Sequence, residues 1–93
     1  MTRLAAKPGQ RDAVVELLVQ GLANRPGCLS YIVGLDPTDL NGLWVNEVWV
    51  SADAHKAAME PAAVKALSVR LWDMLAAMHD PIVTQPIGGR GLG

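Results

Sequence analysis

Three side chains suited to acid–base and aromatic chemistry lie close together in the stretch "VNEVWVSADAH", residues 45–55. Glu47 supplies a carboxylate, Trp49 an indole and His55 an imidazole. The first half of the stretch alternates as a strand does, so Glu47 and Trp49 lie on the same face of that strand. Two interpretations follow: a cluster for chemistry, or ordinary core followed by an ordinary helix cap.

His55 is the candidate proton acceptor. It falls about one turn after Ser51, whose hydroxyl makes it a good N-cap for a helix. The positive end of a helix disfavours the imidazolium ion, and a neutral imidazole accepts a proton from a phenol or hydrogen-bonds a bound oxygen. The alternative is a surface histidine of the helix with no part in chemistry.

The neighbours of His55 are each open to two interpretations. Glu47 is either a polar contact inside an apolar pocket or a carboxylate paired with an arginine such as Arg3 or Arg90. Trp49 is either a packing residue of the core or a wall of that pocket. The single tyrosine, Tyr31, either orients a substrate through its hydroxyl or reaches water.

Composition limits the possible functions. The 93 residues carry a formal charge of −1 without a basic stripe, which disfavours nucleic-acid binding. Two histidines and the lone Cys28 do not suggest a metal site, and a cysteine without a disulfide partner fits a cytoplasmic protein. No apolar run approaches the roughly 18 residues that span a bilayer, and no signal peptide is recognisable, so no membrane association is expected.

The elements that must position these side chains follow from periodicity. Strands are predicted at residues 2–6, 28–35, 43–50 and 81–87. Helices are predicted over residues 10–24, over a short segment ending at Glu60, and from Pro61 to about Met78. In the first helix the apolar positions at helical spacing are Val14, Leu17, Leu18 and Leu22.

Three further placements are predicted. Trp44 lies one residue out of phase with Trp49 and is expected to pack against the helices, on the other side of the strand. Trp72 is expected in the core because it lies in the long helix. His79 is expected to cap the C-terminal end of that helix.

This order of elements is a ferredoxin-like βαββαβ protomer of the α+β class, with helices on one face of a four-stranded antiparallel sheet. The chain is 51% hydrophobic and only 18% charged, so its uncovered sheet face is expected to pair with a second copy in a homodimer. Residues 1–87 are predicted to form one domain, and residues 88–93 a flexible glycine-rich tail.

Five segments are informative together: "PGQRDAVVELL", "PGCLSYIV", "DPTDLNG", "NEVWVSADAHKAAMEPAAVKAL" and "PIGGRGL". They resemble the antibiotic biosynthesis monooxygenase family, which includes small cofactor-independent quinol monooxygenases, and the resemblance extends over nearly the whole chain. The resemblance implies a dimeric α+β barrel in which each protomer keeps an apolar pocket between its sheet and its helices.

The resemblance also implies an activity. In such enzymes a quinol-like or polycyclic phenolic substrate loses a proton, and its anion reduces dioxygen without flavin, haem or metal. Trp49 matches the tryptophan at the strand end, and Glu47 the acidic residue two positions before it. Many members have a helix histidine nine residues after the tryptophan, where this chain has Ala58; His55 lies six residues after it. His55 and Glu47 are thus the candidate catalytic residues, with Trp49 and Tyr31 as substrate-binding residues.

Two other functions are compatible with the same scaffold. One is a dimeric barrel that binds a small apolar metabolite without turnover. The other is an isomerase or decarboxylase, which also needs a base in an apolar pocket.

Overall fold

The strands and helices follow the predicted order, with differences at their ends. The computed structural model describes residues 1–90, and its strands are β1 (Thr2–Ala6), β2 (Cys28–Leu35), β3 (Gly42–Trp49) and β4 (Leu75–Met78). The helices are α1 (Arg11–Leu17), which continues as a π-helical turn over Leu18–Leu22, then α2 (Ala52–Ala58) and α3 (Ala62–Met74).

The four strands form one antiparallel sheet in the order β2-β3-β1-β4. The hairpin of β2 and β3 occupies one side, and β1 lies between β3 and β4. This is the ferredoxin-like α+β arrangement that the sequence predicts, so the fold class is confirmed.

The core lies between the helices and one face of the sheet. All four apolar positions predicted at helical spacing in the first helix are buried, namely Val14, Leu17, Leu18 and Leu22. They pack against Leu4 and Leu43 of the sheet and against Val64 and Leu71 of α3. Full burial of a leucine or valine side chain contributes about 1.5–3 kcal/mol, so this cluster determines which face of the sheet meets the helices.

The two faces of β3 are the reverse of the predicted ones. Leu43 and Val45 are 0% and 3% exposed and belong to the core cluster, so the side of β3 that also carries Glu47 and Trp49 faces the helices. Trp44 was predicted on that side and instead lies on the open face, opposite Gly34 of β2. Alternation groups residues onto a common face, but only packing against the helices decides which face is buried.

The last helix ends earlier than predicted, and the last strand begins earlier. α3 stops at Met74 rather than near Met78, because Leu75 adopts an extended conformation with φ −97° and ψ 139°. Leu75 is still buried in the core, and β4 pairs with β1 in the register Leu4 to Met78. The prediction of a helix over this segment was therefore wrong.

The strand predicted over residues 81–87 is not part of the sheet. Pro81 and Pro86 have no N–H to donate to a ladder, which explains why pairing stops there. Only the start of the segment is tied to the sheet: the N–H of Ile82 donates to the Met1 carbonyl at 2.8 Å, and the Met1 amino group donates to the Ile82 carbonyl at 3.1 Å.

Two other placements also differ from the predicted ones. Trp72 is 57% exposed on the outer side of α3 rather than in the core. His79 follows β4 and does not cap a helix; its Nε2 lies 3.1 Å from an Nη atom of Arg3. Arg3 also pairs with the carboxylates of Asp36 and Asp39, at 3.4 and 3.2 Å.

The sheet face turned away from the helices remains apolar. Ile32 is 61% exposed, and Trp44 and Val48 on the same face are partly exposed. The segment after β4 adds Val83 and Ile87, which are almost fully exposed. This uncovered apolar surface is what a second copy was expected to cover.

Residues 88–90 contain no helix or strand, and the rest of the predicted glycine-rich tail, residues 91–93, lies outside the described residues. Within residues 1–90, none of the helices combines the length and the apolar character needed to cross a membrane.

Candidate functional site

Glu47 and Trp49 form the centre of the candidate site. They lie on the same side of β3, and the indole Nε1–H of Trp49 donates a hydrogen bond of 3.1 Å to Oε1 of Glu47. Across the sheet, Tyr31 of β2 lies opposite Glu47, and Cys28 lies opposite Trp49. The common face predicted for the carboxylate and the indole is therefore observed.

His55 joins this pair from α2. The Ser51 hydroxyl accepts a hydrogen bond of 3.0 Å from the Ala54 N–H, which confirms the predicted cap and fixes the start of the helix. The His55 ring stacks on the Trp49 ring with centroids 4.7 Å apart and an interplanar angle of 18°. Its Nε2 lies 3.9 Å from Oε1 of Glu47, so carboxylate, indole and imidazole are in contact.

The partner of Glu47 is Arg25, which the sequence analysis did not identify. An Nη atom of Arg25 lies 3.7 Å from Oε1 of Glu47, and its Cζ lies 4.9 Å from the centre of the Trp49 ring. The Arg25 side chain is only 8% exposed. The predicted partners Arg3 and Arg90 were wrong: Arg3 pairs with other carboxylates, and Arg90 is exposed at the end of the described chain.

Tyr31 lies on the core side of the cluster and not on the side that lines a cleft. Its ring packs against the core, and burial raises the pKa of its hydroxyl well above the ordinary value, with the nearby Glu47 carboxylate adding to the effect. The phenol is therefore neutral across the physiological range. Tyr31 is not among the residues that line the cleft described next.

An open cleft of about 750 Å³ lies beside the cluster. Its lining includes Glu47, Trp49 and His55 together with residues 81–86 of the segment after β4. The cleft thus lies at the end of the sheet, next to α2, whereas the space beneath α1 and α3 is filled by the core. Helix α2 contributes Ala52 and His55 to the lining of this cleft.

Cys28, the single cysteine of the chain, lies beside this cluster. Burial first, and the Glu47 carboxylate second, raise the pKa of its thiol, although Arg25 acts in the opposite direction. Its Sγ donates a weak hydrogen bond of 3.5 Å to the Ser30 carbonyl.

The arrangement can perform proton transfer in an apolar setting. A neutral imidazole half exposed to the cleft can accept a proton, and the carboxylate 3.9 Å from its Nε2 stabilises the resulting imidazolium. In residues 1–90 no three histidine, cysteine or acidic side chains are grouped as metal ligands would be.

Fold and cluster together define a small ferredoxin-like α+β protein with a cluster of Glu47, Trp49 and His55 at the end of its sheet. A family model described as antibiotic biosynthesis monooxygenase matches residues 1–69. The chain belongs to this family, as its resemblance indicated.

Solved structures agree with this assignment. A protein of Chloroflexus aurantiacus, provisionally described as an antibiotic biosynthesis monooxygenase, is 40% identical, with 99% of this chain and 94% of that chain covered and a TM-score of 0.92. A similarly described protein of Deinococcus radiodurans is 20% identical, with 95% of each chain covered and a TM-score of 0.70, and it supports the fold alone. No curated protein matches the chain.

Proposed function

We propose that this protein is a cofactor-independent monooxygenase that oxidises a quinol-like or polycyclic phenolic substrate with dioxygen. The observation that supports it best is the contact of His55 with Trp49 and Glu47 at the wall of a cleft with mostly apolar lining. Membership of the monooxygenase family favours the same reaction class.

In this proposal His55 removes a proton from the substrate. Glu47 stabilises the imidazolium that forms, and the edge of Trp49 lines the site. The Trp49 ring already stacks with His55 and lies beneath Arg25, so a substrate ring meets its edge rather than displacing either contact. Tyr31 lies opposite Glu47 on β2, packs against the core and does not line the cleft, so no sandwiching of the substrate ring is proposed for it.

The proposed oxidation needs only the substrate and dioxygen as reagents. For an anthrone-like substrate, removal of a proton from the ring methylene leaves a carbanion, which gives its electrons to dioxygen and forms a C–O bond. Protonation yields a hydroperoxide, and loss of water leaves a carbonyl, so one CH₂ and one O₂ become one C=O and one H₂O. The protein contributes proton transfer, orientation and a water-poor surface.

Oxygen uptake tests the proposal. Anaerobic protein is mixed with menadiol or a hydroxyanthrone, oxygen is admitted, and uptake is compared with buffer alone. We expect His55→Gln to lower the protein-dependent rate by about 10²–10⁴-fold, the usual contribution of a general base. His79→Gln is the matched control and retains the rate, because His79 contacts Arg3 outside the cleft.

The possible results of the oxygen-uptake experiment distinguish the candidate functions. Uptake no faster than buffer across the panel would overturn the oxidation. Binding of the same compounds without uptake would favour the non-catalytic barrel, and a rearranged or decarboxylated product would favour the isomerase or decarboxylase.

We also propose that the protein is a homodimer in a reducing cytoplasm. The open sheet face around Ile32, Trp44 and Val48 is apolar and needs cover, and a second copy supplies a surface of the same chemistry. The free thiol of Cys28 suits a reducing compartment.

A further inference from the structure

Arg25 is a nearly buried cation in the loop before β2, held by four groups. Its Nε donates to the Leu22 carbonyl at 2.8 Å, and one Nη lies 3.0 Å from Sδ of Met59. The other Nη lies 3.7 Å from Oε1 of Glu47, and the guanidinium lies over the Trp49 ring at 4.9 Å. With an exposed fraction of 8%, this side chain has little freedom to move.

Three side chains converge on one oxygen of Glu47. Oε1 accepts the Trp49 Nε1–H at 3.1 Å and lies 3.7 Å from Arg25 and 3.9 Å from Nε2 of His55. Oε2 makes no hydrogen bond or ion pair with the residues that the structure describes, although Glu47 lines the cleft. The carboxylate is therefore held by one oxygen, and the other is available as an acceptor.

We propose that Arg25 is a positioning residue of the candidate site. It holds the Trp49 indole and Oε1 of Glu47 in the one arrangement that brings both against His55, and it leaves Oε2 of Glu47 free for a substrate hydroxyl. Arg25 lines a separate groove with Ala54, Ala57 and Ala58 and not the cleft, so it acts through Trp49 and Glu47. The role of this arrangement in catalysis rests on the proposed function.

The chemistry of the side chain explains why an arginine suits this position. A planar guanidinium stacks on an indole and at the same time donates hydrogen bonds in several directions within its own plane. A lysine ammonium is a point charge without a plane, so it can neutralise Glu47 but cannot hold the indole in the same way. Without any cation, Glu47 loses its counterion and the Trp49 ring loses one of its two stacking contacts.

The stacking of His55 on Trp49 provides a readout that needs no substrate. In a Trp44→Phe, Trp72→Phe protein, Trp49 is the single indole. An imidazole in contact with an indole quenches its fluorescence most strongly when it is protonated, so the fluorescence step, the loss of emission between a high-pH and a low-pH buffer, is the readout. His55→Gln in the same protein is expected to remove this step, which assigns it to His55 rather than His79.

The test compares variants that differ only at Arg25, so the other charged groups around His55 are the same in each of them. They are Glu47 on β3 and, on α2 itself, the sequence neighbours Asp53 and Lys56. Only the cation that contacts Trp49 and Glu47 differs between the variants.

Arg25→Met, which fills a similar volume without charge, is expected to lose at least half of the quenching amplitude. Arg25→Lys should fall between Arg25→Met and the reference protein. Full quenching amplitude in Arg25→Met would overturn the proposal. So would a reference protein with pH-independent emission, because the stacked pair that Arg25 is said to hold would then be missing in solution.

Two further results complete the test. If circular dichroism shows that Arg25→Met is unfolded, Arg25→Lys decides: a reduced step supports the proposal and an undiminished step overturns it. Where oxygen uptake is active, Arg25→Met should lower kcat about tenfold or more, with partial rescue by Arg25→Lys. If no compound is oxidised yet the fluorescence step depends on Arg25, the proposed function fails and the positioning role stands.

Discussion

The indole of Trp49 donates its Nε1–H to Oε1 of Glu47 at 3.1 Å, two residues along the same strand. This short-range bond joins the indole of the candidate site to its carboxylate. Because His55 and Arg25 also lie within 4 Å of the same oxygen, at 3.9 and 3.7 Å, a change at Glu47 affects every member of the cluster.

Glu47→Gln should destabilise the fold. The amide still accepts from Trp49, but the nearly buried Arg25 guanidinium loses its counterion, and leaving such a charge unpaired costs about 1–3 kcal/mol here, since Glu47 is partly exposed. The free energy of unfolding by urea measures it. Glu60→Gln is the matched control: the Glu60 and Lys65 side chains are 68% and 64% exposed, so its loss should stay below about 0.5 kcal/mol. Equal effects of the two substitutions would contradict the structural importance of the Glu47–Arg25 pair.

The partnership of Glu47 and Arg25 shows where local sequence patterns stop being informative. "NRPG" reads as a set of helix breakers, and nothing near Arg25 connects it with a carboxylate 22 residues later in the chain. The connection arises from the β2–β3 register, which places Cys28 opposite Trp49 and brings the residues before β2 beside the end of β3. The sequence signal that could have revealed the contact of Arg25 with Glu47 is the hairpin register, which follows from the turn at residues 36–41.

The common face of Glu47 and Trp49 and the Ser51 cap were predictable because they depend only on local geometry. The orientation of that face was not, since alternation treats both sides of a strand alike until a helix packs on one. The end of α3 was also ambiguous: Leu75 is buried whether its backbone is helical or extended, so the apolar spacing fits both structures.

Tyr31 should titrate above its ordinary pKa of 10.0, because burial and the Glu47 carboxylate both oppose the phenolate. The tyrosinate absorbance reports this residue alone, as it is the only tyrosine of the chain. Above pH 10.0 the unfolded chain releases the proton while the folded chain retains it, so stability is fully present below that pH and falls as the pH rises toward the folded value. Tyr31→Phe should flatten this alkaline loss.

A second variant separates the two causes of the Tyr31 shift. Glu47→Gln removes the smaller cause, the nearby charge, so the folded Tyr31 pKa should decrease but stay above that of the urea-unfolded chain. A folded midpoint at or below the unfolded one would contradict the burial of this phenol.

Gly27 fixes the approach of α2 to the loop that holds Arg25. Its φ is +84°, and a Cβ there would lie 2.9 Å from Cβ of Ala54. Gly27→Ala should therefore cost about 1–2 kcal/mol for the left-handed backbone and about 1–3 kcal/mol for the forced contact. Gly9→Ala is the control, because Gly9 has a φ of +79° with nothing within 4 Å and should show the backbone cost alone. Thermal unfolding measures the loss of stability in the two variants. Equal losses would show that Ala54 moves aside without an energetic cost.

A substitution at Ile32 tests the proposed homodimer, in which the open sheet faces of two copies pair. Ile32 lies on the open face, 61% exposed, so in a face-to-face dimer an Ile32→Glu carboxylate would be buried without a partner. We expect the dimer dissociation constant, measured by analytical ultracentrifugation, to rise at least about a hundredfold, which corresponds to about 2.8 kcal/mol. Val69→Glu adds the same charge on α3, at a site 64% exposed in the helix layer, and should leave association unchanged. Wild-type protein that stays monomeric at micromolar concentration, or equal weakening by both substitutions, would rule out the open sheet face as the interface.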